Sequence, residues 1–380
     1  MLSKLVAGIV LGTIAISASA QIKVGIPLST TGPAASLGIP EKNTATLYPS
    51  TIAGQKMEYI VLDDATDTTA ARRNTEKLVT EDKVDVIIGP STSPTTLAII
   101  EVAAKSQTPT ISLGAAVRLV SPMDDQKRWI FKTPYNDSII AEAAVLHMVK
   151  NGIKTLGHIG FNDAYGESWY LELAKAAEKH KVKIVVSEKY NPKDTSVTAQ
   201  VLKVMSANPG AVLIVGSGTP AVLPQATLVE RNYKGKIYQT SGVINNDFLR
   251  VGGKNVEGTL LPGGPVIVVD QLPDSHPAKK PGLEYKQKYE AAFGAGSLTT
   301  FGANAWDGML ILQRAIPVAL KKAKPGTVEF RVALRDAIEA VKDLPATHGV
   351  INMTQADHNG FSANAPVMIT IVNGKWTLAK

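Results

Sequence analysis

Apolar positions along this chain follow two alternating patterns. Short runs rich in valine and isoleucine, at residues 23–28, 58–62, 84–88, 108–113, 155–161, 183–187, 211–215 and 236–240, predict strands buried on both faces. Between them, helical spacing over residues 68–81, 95–105, 138–150, 167–180, 196–206 and 221–231 predicts amphipathic helices. Such alternation builds parallel sheets with helices on both faces, so the expected fold class is α/β with doubly wound units. Proline and glycine punctuate the pattern near residues 131–136 and 260–265. Further helices are expected over 281–293, 300–323 and 328–341, then a hairpin of 367–372 and 375–378 joined by Asn373-Gly374.

Polar residues gather where strands give way to helices. Gly89-Pro90-Ser91-Thr92-Ser93-Pro94-Thr95-Thr96 follows one strand, and Ser29-Thr30-Thr31-Gly32-Pro33-Ala34-Ala35-Ser36-Leu37-Gly38 follows another. Helix starts carry unpaired N–H groups and partial positive charge, so hydroxyls collected there suit a carboxylate or other small anion as well as an ordinary cap. In open doubly wound sheets, ligands sit at the carboxyl ends of strands. Two such sheets facing each other would enclose one cleft between these loops.

The first 20 residues read as a secretory signal. Lys4 supplies the charged start, residues 5–16 the apolar middle, and Ala18-Ser19-Ala20 the cleavage site, so export to the periplasm with cleavage after Ala20 is expected. No later run approaches the ~18 apolar residues of a membrane span. At 380 residues the chain is long enough for two separately cored lobes. With no cysteine, disulfides and thiolate chemistry are excluded.

The net charge of +7 is dispersed, without a basic stripe interleaved with aromatics, so no nucleic-acid partner is expected. Gly216-Ser217-Gly218-Thr219-Pro220-Ala221 loosely matches a dinucleotide fingerprint, yet no acidic residue ends the next strand, and no cofactor is expected. The six histidines lack metal-ligand spacing, and there is neither a nucleophile elbow nor a phosphate loop. The expectation is a binding protein without enzymatic activity or metal.

Ser29-Thr30-Thr31-Gly32-Pro33, Asp63-Asp64-Ala65-Thr66-Asp67, Val86-Ile87-Ile88-Gly89, Asp163-Ala164-Tyr165-Gly166-Glu167 and Ala305-Trp306-Asp307-Gly308 come in an order that resembles the type I periplasmic solute-binding proteins, leucine/isoleucine/valine-binding branch. The resemblance implies two Rossmann-like lobes joined by three hinge crossovers, near 133–136, 261–265 and 345–349. Residues 21–134 and 265–345 would form one lobe, 135–264 and 346–380 the other. Thr66 and Thr92 occupy the positions of the family's disulfide.

Carried over by resemblance, the carboxylate hydroxyl falls on Ser93 beside Thr92, with Gly114 and Ala116 at the backbone positions of the next strand end. Where amino-acid binders hold the ligand's ammonium with an acid, this chain has Ser241. An aromatic of the second lobe becomes Gly218, which is expected to lengthen the cavity, and Leu37 stands where a relative has an aromatic. An unpaired buried ammonium costs several kcal/mol. The expected ligand is therefore a small carboxylate with an apolar body, an aromatic acid of benzoate or hydroxycinnamate type, with Tyr165 and Phe301 as ring-packing walls. The alternative is a branched-chain or other amino acid or amide, whose ammonium would need Asp163 or Asp307. The implied partners are the membrane permease and ATPase of an ABC uptake transporter, with the binding protein itself monomeric.

Overall fold

The computed structural model describes residues 21–379, so the expected signal peptide lies outside the described residues. In the first sheet, β1 (Ile22–Leu28), β2 (Thr51–Ile52), β3 (Gln55–Asp63), β4 (Val86–Ile88), β5 (Thr110–Ser112) and β6 (Ile130–Lys132) lie in the order β2-β3-β1-β4-β5-β6. β1 pairs in parallel with β3 and β4, and every residue of it but Lys23 is buried. Its unbroken apolar run reflects cover on both faces. Leu78, on the helix Thr68–Thr80, packs with Val84 and Ile87 on one side; helices Ala35–Ala45 and Thr300–Ala319 lie together on the other.

The second sheet contains β7 (Thr155–Phe161), β8 (Lys183–Tyr190), β9 (Ala211–Val215), β10 (Lys236–Gln239) and β11 (Leu260–Gly263) in parallel. A small pair, β12 (Leu344–Ala346) and β13 (Gly349–Ile351), precedes β14 (Val367–Val372) and β15 (Lys375–Leu378), which extend the second sheet antiparallel. The order is β15-β14-β11-β10-β9-β7-β8. Asn373 and Gly374 both have positive φ, 52° and 69°, the backbone a two-residue hairpin turn of matching twist requires. The protein thus consists of two Rossmann-like α/β units, with the chain passing between them after β6, after β11 and before β14.

Three expectations shift. Residues 130–132 and 260–263, read as breaks, are strands, and the crossovers start just beyond them. Pro262 is tolerated because the β10 ladder meets β11 only at Tyr238 and Leu260, so its missing N–H removes no bond from that pairing. The helix expected over 95–105 is two short helices, Ser93–Leu97 and Ile100–Lys105. The helix Ala35–Ala45, which carries Pro40, had no helical reading of its own.

Candidate functional site

Strand order reverses between β3 and β4 across β1 in the first sheet, and between β8 and β9 across β7 in the second. A crevice opens at the carboxyl ends of strands at such switch points. The loops after β1 and β4 face those after β7 and β9 across a cavity of about 460 Å³. Ala34, Leu37, Leu113 and Phe301 form apolar walls from one side, Phe161 and Tyr165 from the other. Tyr135, Gly264 and His348, one from each passage between the units, meet at its floor.

Ser93 lies on the cavity wall, 2% exposed, at the start of the five-residue helix rather than in a loop before it. Its Oγ accepts the N–H of Ala116 at 3.1 Å, which leaves its own proton to donate. Thr92 is the cap of this helix: its Oγ1 accepts the Thr95 N–H at 3.3 Å and pairs with the Thr95 hydroxyl at 2.7 Å. A helix this short has little macrodipole, so the polar character of this wall comes from its hydroxyls. The N–H of Gly114 is already bonded to Ser112 Oγ at 3.0 Å, and that hydroxyl meets Thr96 Oγ1 at 2.8 Å.

Behind this wall lies a buried acidic group. Ser91 bridges the Ser29 amide and the Glu41 carboxyl, and Ser29 Oγ donates to Asp64 Oδ1 at 2.6 Å. Burial pushes the Glu41 carboxyl well above the usual range, against the opposing pull of its bond from Ser91.

On the opposite wall, the Tyr165 hydroxyl donates to Thr240 Oγ1 at 2.8 Å, which in turn donates to the Gly216 carbonyl at 2.8 Å. The ring is thereby fixed as a flat wall, and burial raises the phenol's pKa, keeping it neutral. Asp163 also faces the cavity; its Oδ1 accepts the amides of Tyr165 and Gly166 at 2.9 and 3.0 Å. Burial raises the Asp163 carboxyl despite these two bonds. Asp307, by contrast, is wholly buried away from the lining and bonded to Thr347 and His348.

Of the residues singled out in the sequence, Leu37, Thr92, Ser93, Gly114, Tyr165, Ser241 and Phe301 are brought together around the cavity. Ala116 and Gly218 are not on its lining. Ala116 is fully buried among Ile100, Leu119 and Ile130, with its amide on Ser93. Gly218 does not lengthen the cavity, because Ser36 and Leu37 of the facing unit fill the space: a Cβ there would lie 2.6 Å from Ser36 Oγ and 3.0 Å from Leu37 Cδ1. Trp306 packs against Tyr285 at 5.5 Å in the core, and Arg118 pairs with Glu167 at 3.1 Å.

Sequence reasoning missed Asn304 and His348. The available signal for Asn304 was a polar residue four positions after Thr300 and three before Asp307, on the same helix face; for His348 there was none, since its place depends on the return of the chain between the units. Among the described residues no cluster of three or more His, Cys, Asp or Glu is placed to hold a metal ion, and no helix is long and apolar enough to cross a membrane.

A family profile for periplasmic binding proteins matches residues 21–375. An extracellular ligand-binding receptor from Rhodopseudomonas palustris HaA2 is 45% identical, with a TM-score of 0.92 over 95% of this chain and 100% of its own. The leucine-binding protein LivK of Thermotoga maritima superposes with a TM-score of 0.81 at 19% identity, over 94% of this chain and 98% of its own. A solute-binding protein of an ABC transporter from R. palustris, solved in complex with benzoate, gives 0.79 at 21% identity, over 94% and 95%. The chain spans only 28% of the length of a curated relative, glutamate receptor 2.4 of Arabidopsis thaliana, at 25% identity over 267 residues, 68% of this chain. With both switch-point crevices turned onto one cavity, the chain belongs to the periplasmic binding proteins and shares the two-unit fold of the leucine-binding protein.

Proposed function

We propose that this protein is the substrate-capturing component of an ABC uptake transporter, exported to the periplasm with cleavage after Ala20, and that it closes around a small aromatic carboxylate. It acts as a monomer, without catalysis, and hands its ligand to a permease driven by an ATPase. The observation that carries the reading is the pairing of a proton-bearing hydroxyl, Ser93, with walls formed by Leu37, Phe161, Tyr165 and Phe301. A carboxylate held by Ser93 gains about 1.5–3 kcal/mol from a charge-assisted bond. About 100 Å² of ring removed from water adds roughly 2.5 kcal/mol. Ligand touching both units favours the closed form by its differential affinity, and closure is what a transporter can recognise.

A benzoate-bound relative of the same fold agrees with this reading. Asp163 favours a second one: it is the acidic side chain on the lining, with only one oxygen bonded in its cap, so it is the group an amino acid's ammonium would meet. Calorimetry against benzoates, hydroxycinnamates and leucine, with wild type and Asp163→Asn, separates the two. Tight aromatic-acid binding retained in Asp163→Asn is expected; leucine bound tightly by wild type and lost in the variant establishes the amino-acid reading instead.

A further inference from the structure

Thr300, Asn304 and Asp307 lie at helical spacing on one face of Thr300–Ala319. The outer two are tied to the chain returning between the units. Thr300 Oγ1 meets His348 Nε2 at 2.8 Å; Asp307 accepts the Thr347 N–H and meets His348 Nδ1, each at 2.8 Å. Asn304, between them, faces the cavity beside Phe301 instead. It is 6% exposed, and its Oδ1 has no hydrogen-bond partner among the described residues.

A buried amide oxygen is almost always bonded, because leaving it bare costs more than a single bond contributes net. No hydrogen bond among the described residues uses this oxygen, and Asn304 lines the cavity together with Phe301. The unmet acceptor therefore points to a donor carried in by the ligand.

We infer that Asn304 is a second polar anchor, whose Oδ1 accepts a hydrogen bond from a hydroxyl on the body of the captured acid, remote from its carboxylate. The inference rests on the aromatic-acid reading above and narrows it to hydroxylated rings. A neutral hydroxyl suits a neutral amide; a cationic donor would seek Asp163 on the other wall. A site built to bond a hydroxyl discriminates strongly against analogues lacking it, since the buried acceptor is then left unmet.

The test is calorimetry of benzoate, 3- and 4-hydroxybenzoate, 4-methoxybenzoate, cinnamate and 4-hydroxycinnamate with wild type and Asn304→Leu. Wild type is expected to bind at least one hydroxylated acid ten-fold or more tighter than its unsubstituted and methoxy counterparts. Asn304→Leu is expected to bring that ratio near one, to bind the unsubstituted acid as tightly or better, and to unfold at no lower temperature without ligand. If leucine does not fit the site, Asn304→Ala is read by the same ratio. A preference that survives the substitution, or hydroxylated and bare rings bound equally by wild type, overturns the inference and leaves the aromatic-acid reading standing. Wild type that binds none of these acids overturns both.

Discussion

Arg118 Nη1 lies 3.1 Å from Glu167 Oε2, joining the segment after β5 of the first sheet to the helix Ala164–Lys179 after β7 of the second. Beside this pair the Val117 N–H reaches Asp137 Oδ1 at 2.9 Å, at the start of helix Asp137–Lys150 on the second unit. Both contacts join the two units outside the cavity, as Ser36 and Leu37 do where they meet Gly218.

Because Arg118 and Glu167 are 44% and 57% exposed, their pairing contributes at most about 1 kcal/mol. Arg118→Ala is expected to weaken ligand binding by no more than about five-fold at low ionic strength. At ~1 M salt, where screening already removes the attraction, the variant should match wild type. Calorimetry at the two ionic strengths checks this; an effect independent of salt would mean that Arg118 acts through packing.

Ser93 has two partners to lose. Ser93→Ala removes the hydroxyl proton offered to the ligand, a loss of about 1.5–3 kcal/mol, or roughly 10- to 150-fold in Kd for an acid. It also strips the Ala116 N–H of its acceptor, so unfolding free energy should fall by about 1–3 kcal/mol. Ser93→Thr keeps the hydroxyl and should recover part of both. Affinity for every acid within two-fold of wild type in Ser93→Ala would place the carboxylate elsewhere.

Gly218 has φ 59° and ψ −156°, a region essentially closed to other residues. Gly218→Leu adds strain of about 1–3 kcal/mol and drives the new side chain into Ser36 and Leu37 of the facing unit. The variant should remain folded, bind ligand at least ~10-fold more weakly, and show a larger radius of gyration in ligand-saturated X-ray scattering. Leu37→Ala should restore part of the affinity in a double-mutant cycle; no coupling between the two would refute the wedge.

Lys132 ends β6 at the first passage between the units, fully buried, with Nζ donating to the Pro134 carbonyl at 2.6 Å. Burial lowers its pKa to about 7, although Asp137 and Asp357 pull the other way. The unfolded lysine titrates near ~10.4, so between pH 7 and 10 the unfolded state binds the extra proton and stability rises with pH. Lys132→Met should be more stable than wild type at pH 7, by up to a few kcal/mol, with the advantage shrinking toward pH 10. Guanidinium melts at pH 7, 8.5 and 10 measure the trend; a constant difference would show that the amine does not titrate there.

Local chemistry made much of the architecture legible. The apolar run over 22–28 needs no long-range information to be read as a doubly covered strand, and Asn373-Gly374 dictates a tight hairpin because both residues accept positive φ. Asn245 caps the helix Asn246–Gly252, its Oδ1 accepting the Phe248 N–H at 2.8 Å, as its side chain allows in any context. Where a strand is only three residues long, as in Ile130–Lys132, the nearby Pro134 obscured it.

Alternation of strand and helix, the lack of cysteine and the hydroxyl-rich strand ends were determined by the sequence alone, since each depends on neighbours along the chain. Only the tertiary structure decided which hydroxyls remain available. Thr92 and Ser112 are engaged by their own loop and by the next strand end, while Ser93 keeps a proton to donate. It also set Leu37 against Gly218, and left Asn304 unbonded between two bonded neighbours on one helix face. Hydrogen-bond satisfaction and the closing of space are properties of groups that meet across the fold, and their separation in the chain carries no record of the meeting.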